Sequence, residues 1–402
     1  MVIRWRSWPR CNPRSLDCVR ARRLIDCIVV AACLAACGTD EPVQPTPKPP
    51  STFPALDVTT VMADLDHPWD VVAAPDGTVL TGERSGRFVV RRPGGEPTAV
   101  AADLDDLFAN SETGLMAIAL ATDFAQSRKV FTCQGFRDSQ TTDIRVIAWT
   151  VDPAWSQLTR TGTVLTGLPV SNGRHGGCRI LPMPDGTLFV ATGDSARPTI
   201  PQDLGSLGGK VLHFDAGTGR PAAGNPFPDS PVYTLGHRNV QGLALRPGTD
   251  QIYSVEQGSS RDDEVNLLRS GGNYGWKPDR NPNRYDESVP MTDPERVPGA
   301  IAAVWSSGSS TIATASASFI TGPSWAPWDG ALAIGVLKGT HVRLLRLSDD
   351  GTTVVDEVAP AELDGRFGRI RTVAAQPDGS LLVTTDNGDN DVVLRVTPRA
   401  SG

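Results

Sequence analysis

The chain has 402 residues, 39% of them hydrophobic and 21% charged, which is the make-up of a globular protein and, in length, of one large all-β domain. Gly 40 and Pro 33 suit a fold of many turns rather than a helical one. A formal charge of −7 argues against nucleic acid as the main partner.

In chain order, residues 1–36 read as an export signal. Arg4, Arg6, Arg10, Arg14, Arg20, Arg22 and Arg23 make a basic start. Leu24 to Ala36 follow as an apolar stretch too short to span a bilayer comfortably, with Asp26 as a blemish. The stretch ends Leu34-Ala35-Ala36-Cys37-Gly38, which resembles a bacterial lipobox. There the chain is cut before the cysteine, and the thiol of Cys37 takes a diacylglycerol. An export signal without lipid is the alternative. Two acyl chains on one residue suffice for stable anchoring, so the expected protein is exported, held to the membrane through Cys37 and facing outside the cytoplasm. Removing seven Arg and two Asp leaves a mature charge of about −12. Residues 37–55 contain DEPVQPTPKPPSTFP, an extended proline-rich tether.

Of seven cysteines, Cys11, Cys18, Cys27 and Cys33 leave with the signal and Cys37 carries lipid. Cys133 and Cys178 remain. In an exported chain two cysteines can form one disulfide; two buried free thiols are the alternative.

Residues 56–402 are expected to form one domain, which repeats itself loosely. Turns at Pro75-Asp76-Gly77, Thr122-Asp123-Phe124, Pro184-Asp185-Gly186, Pro247-Gly248-Thr249-Asp250, Trp328-Asp329-Gly330 and Pro377-Asp378-Gly379 each precede a strand-like run. The runs are TVLTGER, KVFTCQG, TLFVATGD, QIYSVEQG, ALAIGVLKG and SLLVTTDNGD. Asp-Gly suits a tight hairpin because Gly accepts positive φ. Repeats roughly 50 to 80 residues apart are in the range of propeller blades with insertions. Six of them predict a six-bladed β-propeller; a β-sandwich with accidental turn similarity is the competing fold. Most of these runs end in Gly or a charged residue. In a propeller such ends meet at one mouth of the central channel, as a binding site needs.

Five histidines are present: His67, His175, His213, His237 and His341. His175 stands in Gly173-Arg174-His175-Gly176-Gly177, where flanking glycines are expected to leave the imidazole open to a substrate. In LGHRNVQGLAL, Arg238, Asn239 and Gln241 cluster as hydrogen-bonding groups. EQGSSRDDEVNLLRSGGNYGW gathers Asp262, Asp263 and Glu264 near glycines, oxygen-rich chemistry that suits a hard cation, although a solvated acidic run is the plainer reading. Lys338, Arg369 and Arg371 end or follow strands and suit an anionic ligand; salt bridges at the mouth are the alternative.

The motifs HPWDVVAAPDGTVLTGERSGR, ETGLMAIALATDF, RHGGCRILPMPDGTLFVATGD, QDLGSLGGKVLHFD, YTLGHRNVQGLAL, EQGSSRDDEVNLLRSGGNYGW, GVLKGTHVRLLRL and GRIRTVAAQPDGSLLVTTDNGD run in the order of a known family. They resemble the pyrroloquinoline quinone (PQQ)-dependent soluble glucose, sorbosone and aldose sugar dehydrogenases, over about Leu65 to Val396. The resemblance implies PQQ and Ca²⁺ as cofactors, a small sugar as substrate and an external electron acceptor. It makes His175 the general base and Arg238 the cation beside the quinone oxygens. Asn239 and Gln241 would hold the cofactor edge, with Glu112 and Thr311 beside it, and Lys338, Arg369 and Arg371 would meet its carboxylates. The carbonyls of Gly258 and Ser259 would carry the cofactor-bound Ca²⁺; Glu264 and Tyr274 would form a separate, structural Ca²⁺ site.

This chain departs from the family in several places. Glu112 stands where Gln is usual, Arg174 where the glucose enzyme has an acid, Ser309 where a Trp packs on the cofactor, and Ser259 where Pro is usual. The cysteine pair in FTCQG and GGCRI resembles actinobacterial lipoprotein branches of the family. Two functions are therefore carried forward: a PQQ- and Ca²⁺-dependent aldose dehydrogenase, and a propeller lipoprotein that binds a cell-envelope carbohydrate or a protein partner without redox chemistry.

Overall fold

The structure, a computed structural model, describes residues 53–281 and 284–399. The export signal, Cys37 and the tether as far as residue 52 lie outside them. Among the described residues the architecture is all-β. Four short strands in succession make one antiparallel group, and the pattern recurs.

The first strands of the groups are Pro68–Ala73, Leu115–Leu120, Gly177–Pro182, Val240–Leu245, Thr314–Phe319 and Ile370–Ala375. Each pairs antiparallel with the next strand of the chain: Val79–Glu83, Lys129–Arg137, Thr187–Thr192, Ile252–Glu256, Leu332–Val336 and Leu381–Thr385. These second strands are the six runs picked out in the sequence. Thr98–Ala102 and Gln157–Leu168, the outer strands of the first two groups, also meet through a short parallel contact. The last group takes its outer strand from the other end of the domain: Leu56–Leu65 pairs with Asp391–Pro398, from Leu56↔Pro398 to Leu65↔Asp391.

The Pro-Asp-Gly turns have a common local cause. Asp76, Asp185 and Asp378 each accept the backbone N–H two residues on, from Thr78, Thr187 and Ser380, at 2.9, 3.0 and 2.9 Å. The following Gly77 takes φ 81°, which a residue with a Cβ rarely adopts.

The second strands are covered on both faces, and four of them are buried at every position. That explains their nearly continuous apolar character. Hydrophobic clusters lie between consecutive groups. Leu80, Phe88, Leu115 and Trp149 join the first group to the second, Met116, Phe131, Ile180 and Phe214 the second to the third, and Phe189, Val211, Leu243 and Tyr274 the third to the fourth. Val255, Phe319 and Leu345 join the fourth to the fifth, and Trp328, Leu344, Ile370 and Leu394 the fifth to the sixth. Val71, Val79, Leu382 and Val393 join the sixth back to the first. Each fully buried aliphatic or Phe side chain contributes roughly 1.5–3 kcal/mol.

First strands also touch first strands in sequence, and Ile370–Ala375 touches Pro68–Ala73. One cavity of ≈ 220 Å³ is lined by residues of all six, among them Val72, Ile118, Arg179, Leu243, Ala317 and Val373. Each first strand has a register shift against its partner near its beginning, for example between Gly177 and Arg179 and between Val240 and Gly242. Such bulges re-aim side chains at the end of a sheet, here at the end where the conspicuous polar residues lie. A disulfide, Cys133–Cys178, links the second strand of group two to the first strand of group three, Cα to Cα 5.6 Å.

Candidate active site

Residues leading into the first strands and residues ending the second strands are brought together. His175 precedes Gly177–Pro182, and Asp194 follows Thr187–Thr192 two residues on. Asp194 Oδ1 lies 2.8 Å from His175 Nδ1. A carboxylate there accepts, so Nδ1 carries the hydrogen and Nε2 of the neutral ring keeps a lone pair. Asp194 Oδ1 also takes the Ala196 N–H at 2.8 Å. Its Oδ2 takes Trp276 Nε1–H and the Tyr285 hydroxyl, both at 2.7 Å. Four donors thus fix the group that orients the imidazole. Burial, and then the Asp194 carboxylate, push the Tyr285 phenol up, which keeps it a donor.

The glycines around His175 do other work than the sequence implied. His175 is 3% exposed, with φ 51°. The chain packs so closely that a Cβ on Gly173 would fall 1.9 Å from the Asn110 carbonyl oxygen, and one on Gly177 2.4 Å from the Gly193 nitrogen. These glycines allow backbone to pass backbone; they do not leave the ring open.

Above Nε2 sits a chain of charges. Arg174 Nη2 is 3.5 Å from His175 Nε2 and 2.6 Å from Glu287 Oε1, which lies 3.6 Å from Arg238 Nη2. Burial raises the pKa of Glu287, but Arg174 and Arg238 outweigh it and hold the carboxyl below its usual range. Arg238 donates from Nη1 to the Gln257 carbonyl at 3.1 Å, while its Nε is buried without a partner among the described residues. Glu256 Oε2 fixes the Arg238 backbone N–H at 2.8 Å, and its Oε1 takes His237 Nδ1 at 2.9 Å.

Glu112 is tied in beside the base. Its Oε2 accepts the His175 N–H at 3.0 Å and the Asn239 amide at 3.4 Å. Asn239 also accepts the Gly177 N–H at 3.1 Å. Gln241 Oε1 accepts from Arg371 at 2.8 Å and from Gln257 at 3.3 Å. Asn239 therefore spends both halves of its amide within the protein, and Gln241 its oxygen. Arg371 is buried against Asp386, which also meets His67 Nδ1 at 2.6 Å. Arg369 is nearly half exposed, 3.9 Å from the same carboxylate. Lys338 is exposed and its ammonium has no partner among the described residues.

Around the expected cation sites the picture divides. Thr311 Oγ1 points to Asp263 at 2.8 Å, and Asp263 also takes the N–H groups of Gly258, Ile312 and Ala313. Asp263 is thus neither a surface acid nor a free ligand; it ties two loops together. The carbonyls of Gly258 and Ser259 accept no hydrogen bond among the described residues. Glu264 is buried; burial first, then the Glu256 carboxylate, push its pKa well above the usual value. Asn266, which donates to both acids, leaves its Oδ1 buried and unpartnered. Tyr274 spends its hydroxyl on the Leu267 carbonyl at 2.7 Å and the Arg269 N–H at 2.9 Å, and its ring stacks on His237. Among the described residues no three His, Cys, Asp or Glu converge on a metal-sized point. Any cation here would have to rest largely on carbonyl and amide oxygens.

Sequence reasoning placed Asp194 and Asp386 among the strand ends at the mouth, in TLFVATGD and SLLVTTDNGD, without giving either a partner, and missed Trp276, Tyr285 and Glu287 as parts of the site. Tyr285 and Glu287 come from a small hairpin of Asp279–Asn281 and Arg284–Tyr285 and the residues after it, which no other repeat contains.

The model of the family described as Glucose / Sorbosone dehydrogenase matches residues 65–394. The aldose sugar dehydrogenase YliI of Escherichia coli is 30% identical, over 86% of this chain and 93% of its own. Among solved structures, the PQQ-bound aldose sugar dehydrogenase of Streptomyces coelicolor is 29% identical with a TM-score of 0.70, over 86% of this chain and 100% of that one. The soluble aldose sugar dehydrogenase of E. coli in its apo form is also 29% identical, with a TM-score of 0.76 and the same coverage.

Proposed function

Because the chain belongs to the glucose/sorbosone dehydrogenase family, we propose that it is a PQQ-dependent dehydrogenase of aldose sugars, built as a six-bladed β-propeller. The clusters that join each strand group to the next, and the sixth to the first, support the propeller. The observation that carries the function is the orientation of His175. One ring nitrogen is fixed by Asp194, and the other faces the charged groups of the mouth.

The residues present fit the cofactor. A buried Arg238 Nε without a partner, an unpaired Lys338 and a half-exposed Arg369 leave positive charge on one face for an anionic group. The unclaimed carbonyls of Gly258 and Ser259 fit Ca²⁺ beside it, and the buried Glu264 with the orphaned Asn266 Oδ1 fits a second, structural cation, to which Tyr274 has only its backbone carbonyl left to give. When bound, the quinone supplies the hydride acceptor and the ion beside it a Lewis acid.

The chain's own residues then have distinct work. His175 Nε2 takes the proton of the sugar hydroxyl, and Asp194 stabilises the imidazolium that forms. Arg238 lies where negative charge develops, and its burial against Trp276 keeps water from competing for it. Lys338, Arg369 and, from within its ion pair with Asp386, Arg371 would hold the cofactor's carboxylates, with Asn239, Gln241, Thr311 and Glu112 shaping its edge. Reconstitution with PQQ and Ca²⁺, followed by a dye-reduction screen over aldoses, tests the reading. Sugar-dependent reduction that requires PQQ is expected, and its absence across the panel sinks it.

A further inference from the structure

From the geometry around Nε2 we infer that Glu287 is a specificity-determining residue, which accepts a hydrogen bond from the sugar hydroxyl on the carbon next to the one oxidised. The inference rests on the dehydrogenase reading and deepens it by naming a feature of the substrate: a vicinal pair of hydroxyls, one of them at the reacting carbon.

Three observations carry it. Arg174 Nη2 touches both Glu287 Oε1 and His175 Nε2, at 2.6 and 3.5 Å, so Oε1 and the base nitrogen are no farther apart than those two lengths laid end to end, and Oε2 lies at most one carboxyl width beyond. A vicinal diol, each hydroxyl making a hydrogen bond of roughly 2.7–2.8 Å, spans such a gap. The carboxylate is also held in place. Arg174 and Arg238 both meet its Oε1, and the Tyr285 hydroxyl two residues earlier is bonded to Asp194. Lastly, it remains accessible. The Glu287 side chain is 40% exposed and that of Arg174 41%, while His175 and Asp194 beneath them are buried. An ionised carboxylate offers about four acceptor positions. Two arginines on one oxygen leave positions on the other for a hydroxyl donor. Arg174 presents N–H groups to the same hydroxyl's oxygen, so the pair reads both halves of one O–H group.

The experiment compares an aldose with its 2-deoxy counterpart on the holo-protein, for wild type, Glu287→Gln and Arg174→Gln, with thermal melts to establish folding. Wild type should prefer the 2-hydroxy sugar by on the order of 10- to 100-fold in kcat/KM. Glu287→Gln should lose most of that preference, through a rise in KM for the 2-hydroxy sugar that the 2-deoxy sugar does not share. A second readout needs no turnover: calorimetric binding of 1,5-anhydroglucitol, which has no reactive anomeric hydroxyl, against its 2-deoxy form. Wild type that oxidises no sugar yet discriminates these two alditols keeps Glu287 as the acceptor of that hydroxyl in a binding site and sinks the dehydrogenase reading. Wild type that oxidises sugars without preference, or a Glu287→Gln variant that keeps the preference, overturns the inference alone. Neither oxidation nor discrimination overturns both.

Discussion

His175 and Asp194 meet at 2.8 Å across neighbouring strand ends, nineteen residues apart in sequence, and the carboxylate is itself held by Trp276 and Tyr285. The imidazole is thereby fixed in orientation and in the position of its hydrogen. Removing the ring and disturbing its partner should therefore have related effects. His175→Ala should lower turnover by on the order of 10² to 10⁴-fold. Asp194→Asn, whose amide can turn an N–H toward Nδ1 and move the ring hydrogen to Nε2, should fall in the same range. PQQ titration should show little change in cofactor affinity for either variant. A large loss of affinity would show that the pair serves the fold of the cofactor site and not proton transfer.

Cofactor affinity should depend on the cations instead. Lys338→Ala is expected to weaken PQQ binding before it affects kcat at saturation, and the loss should shrink as salt is raised. Glu112→Gln should act in the opposite direction. The amide keeps one carbonyl oxygen for the His175 N–H and removes a negative charge from beside an anionic ligand. Fluorescence titration of the apo-protein with PQQ measures both, and equal affinities in all three proteins would refute the assignment.

Lys210 offers a test by pH. It is fully buried, with its ammonium on the carbonyls of Ile200, Pro201 and Gly208 at 2.8, 3.1 and 2.7 Å. Burial brings its pKa down from 10.5 to about 7, against the pull of Asp203 and Asp194. Between those values the unfolded chain holds a proton that the folded chain has lost, so folding gains stability as pH rises from about 7 towards 10.5. Below about 7 the group is charged in both states and the full cost of burying it is present. Urea melts at pH 6 and pH 9.5 should show wild type gaining on Lys210→Met at the higher pH. A difference that is flat in pH would refute this.

The disulfide closes a span of 45 residues between adjacent strand groups. In the chain-entropy model such a loop contributes about 4 kcal/mol. Cys133→Ala with Cys178→Ala should lower Tm measurably while leaving the spectrum of the native fold unchanged. Peptide mapping without reductant should recover the two cysteines as one linked pair.

Cys37 lies outside the described residues, and its lipidation is a reading of LAACG alone. Cys37→Ala should move the protein from the membrane to the soluble fraction and remove the acyl mass. Unchanged partitioning would dismiss the anchor.

What could be read from the sequence follows from how local each cause is. The second strands were legible because Pro-Asp-Gly turns act within four residues and buried strands are apolar throughout. The pairing of Leu56–Leu65 with Asp391–Pro398 was not, because nothing local marks a partner more than three hundred residues away. At the site, His175 and Arg238 stood out by residue type and by motif. Asp194 was visible as a strand end, but its role depends on an imidazole in the preceding loop. Tyr285 and Glu287 reach the base from a hairpin with no counterpart elsewhere in the chain, so neither repeat nor motif pointed to them. The glycines around His175 were read as opening space for a substrate; Gly173 and Gly177 are needed where one backbone runs against another.

The strand Leu56–Leu65 is among the first parts of the domain to be synthesised, and its partner Asp391–Pro398 is among the last. One sheet therefore stays unfinished, with an unpaired edge, until translation of the domain is essentially over. Non-local closure of this kind is slow to form and leaves the nascent chain open to aggregation while it waits. It also makes the carboxyl end a poor place to shorten, since losing the last strand would free the first.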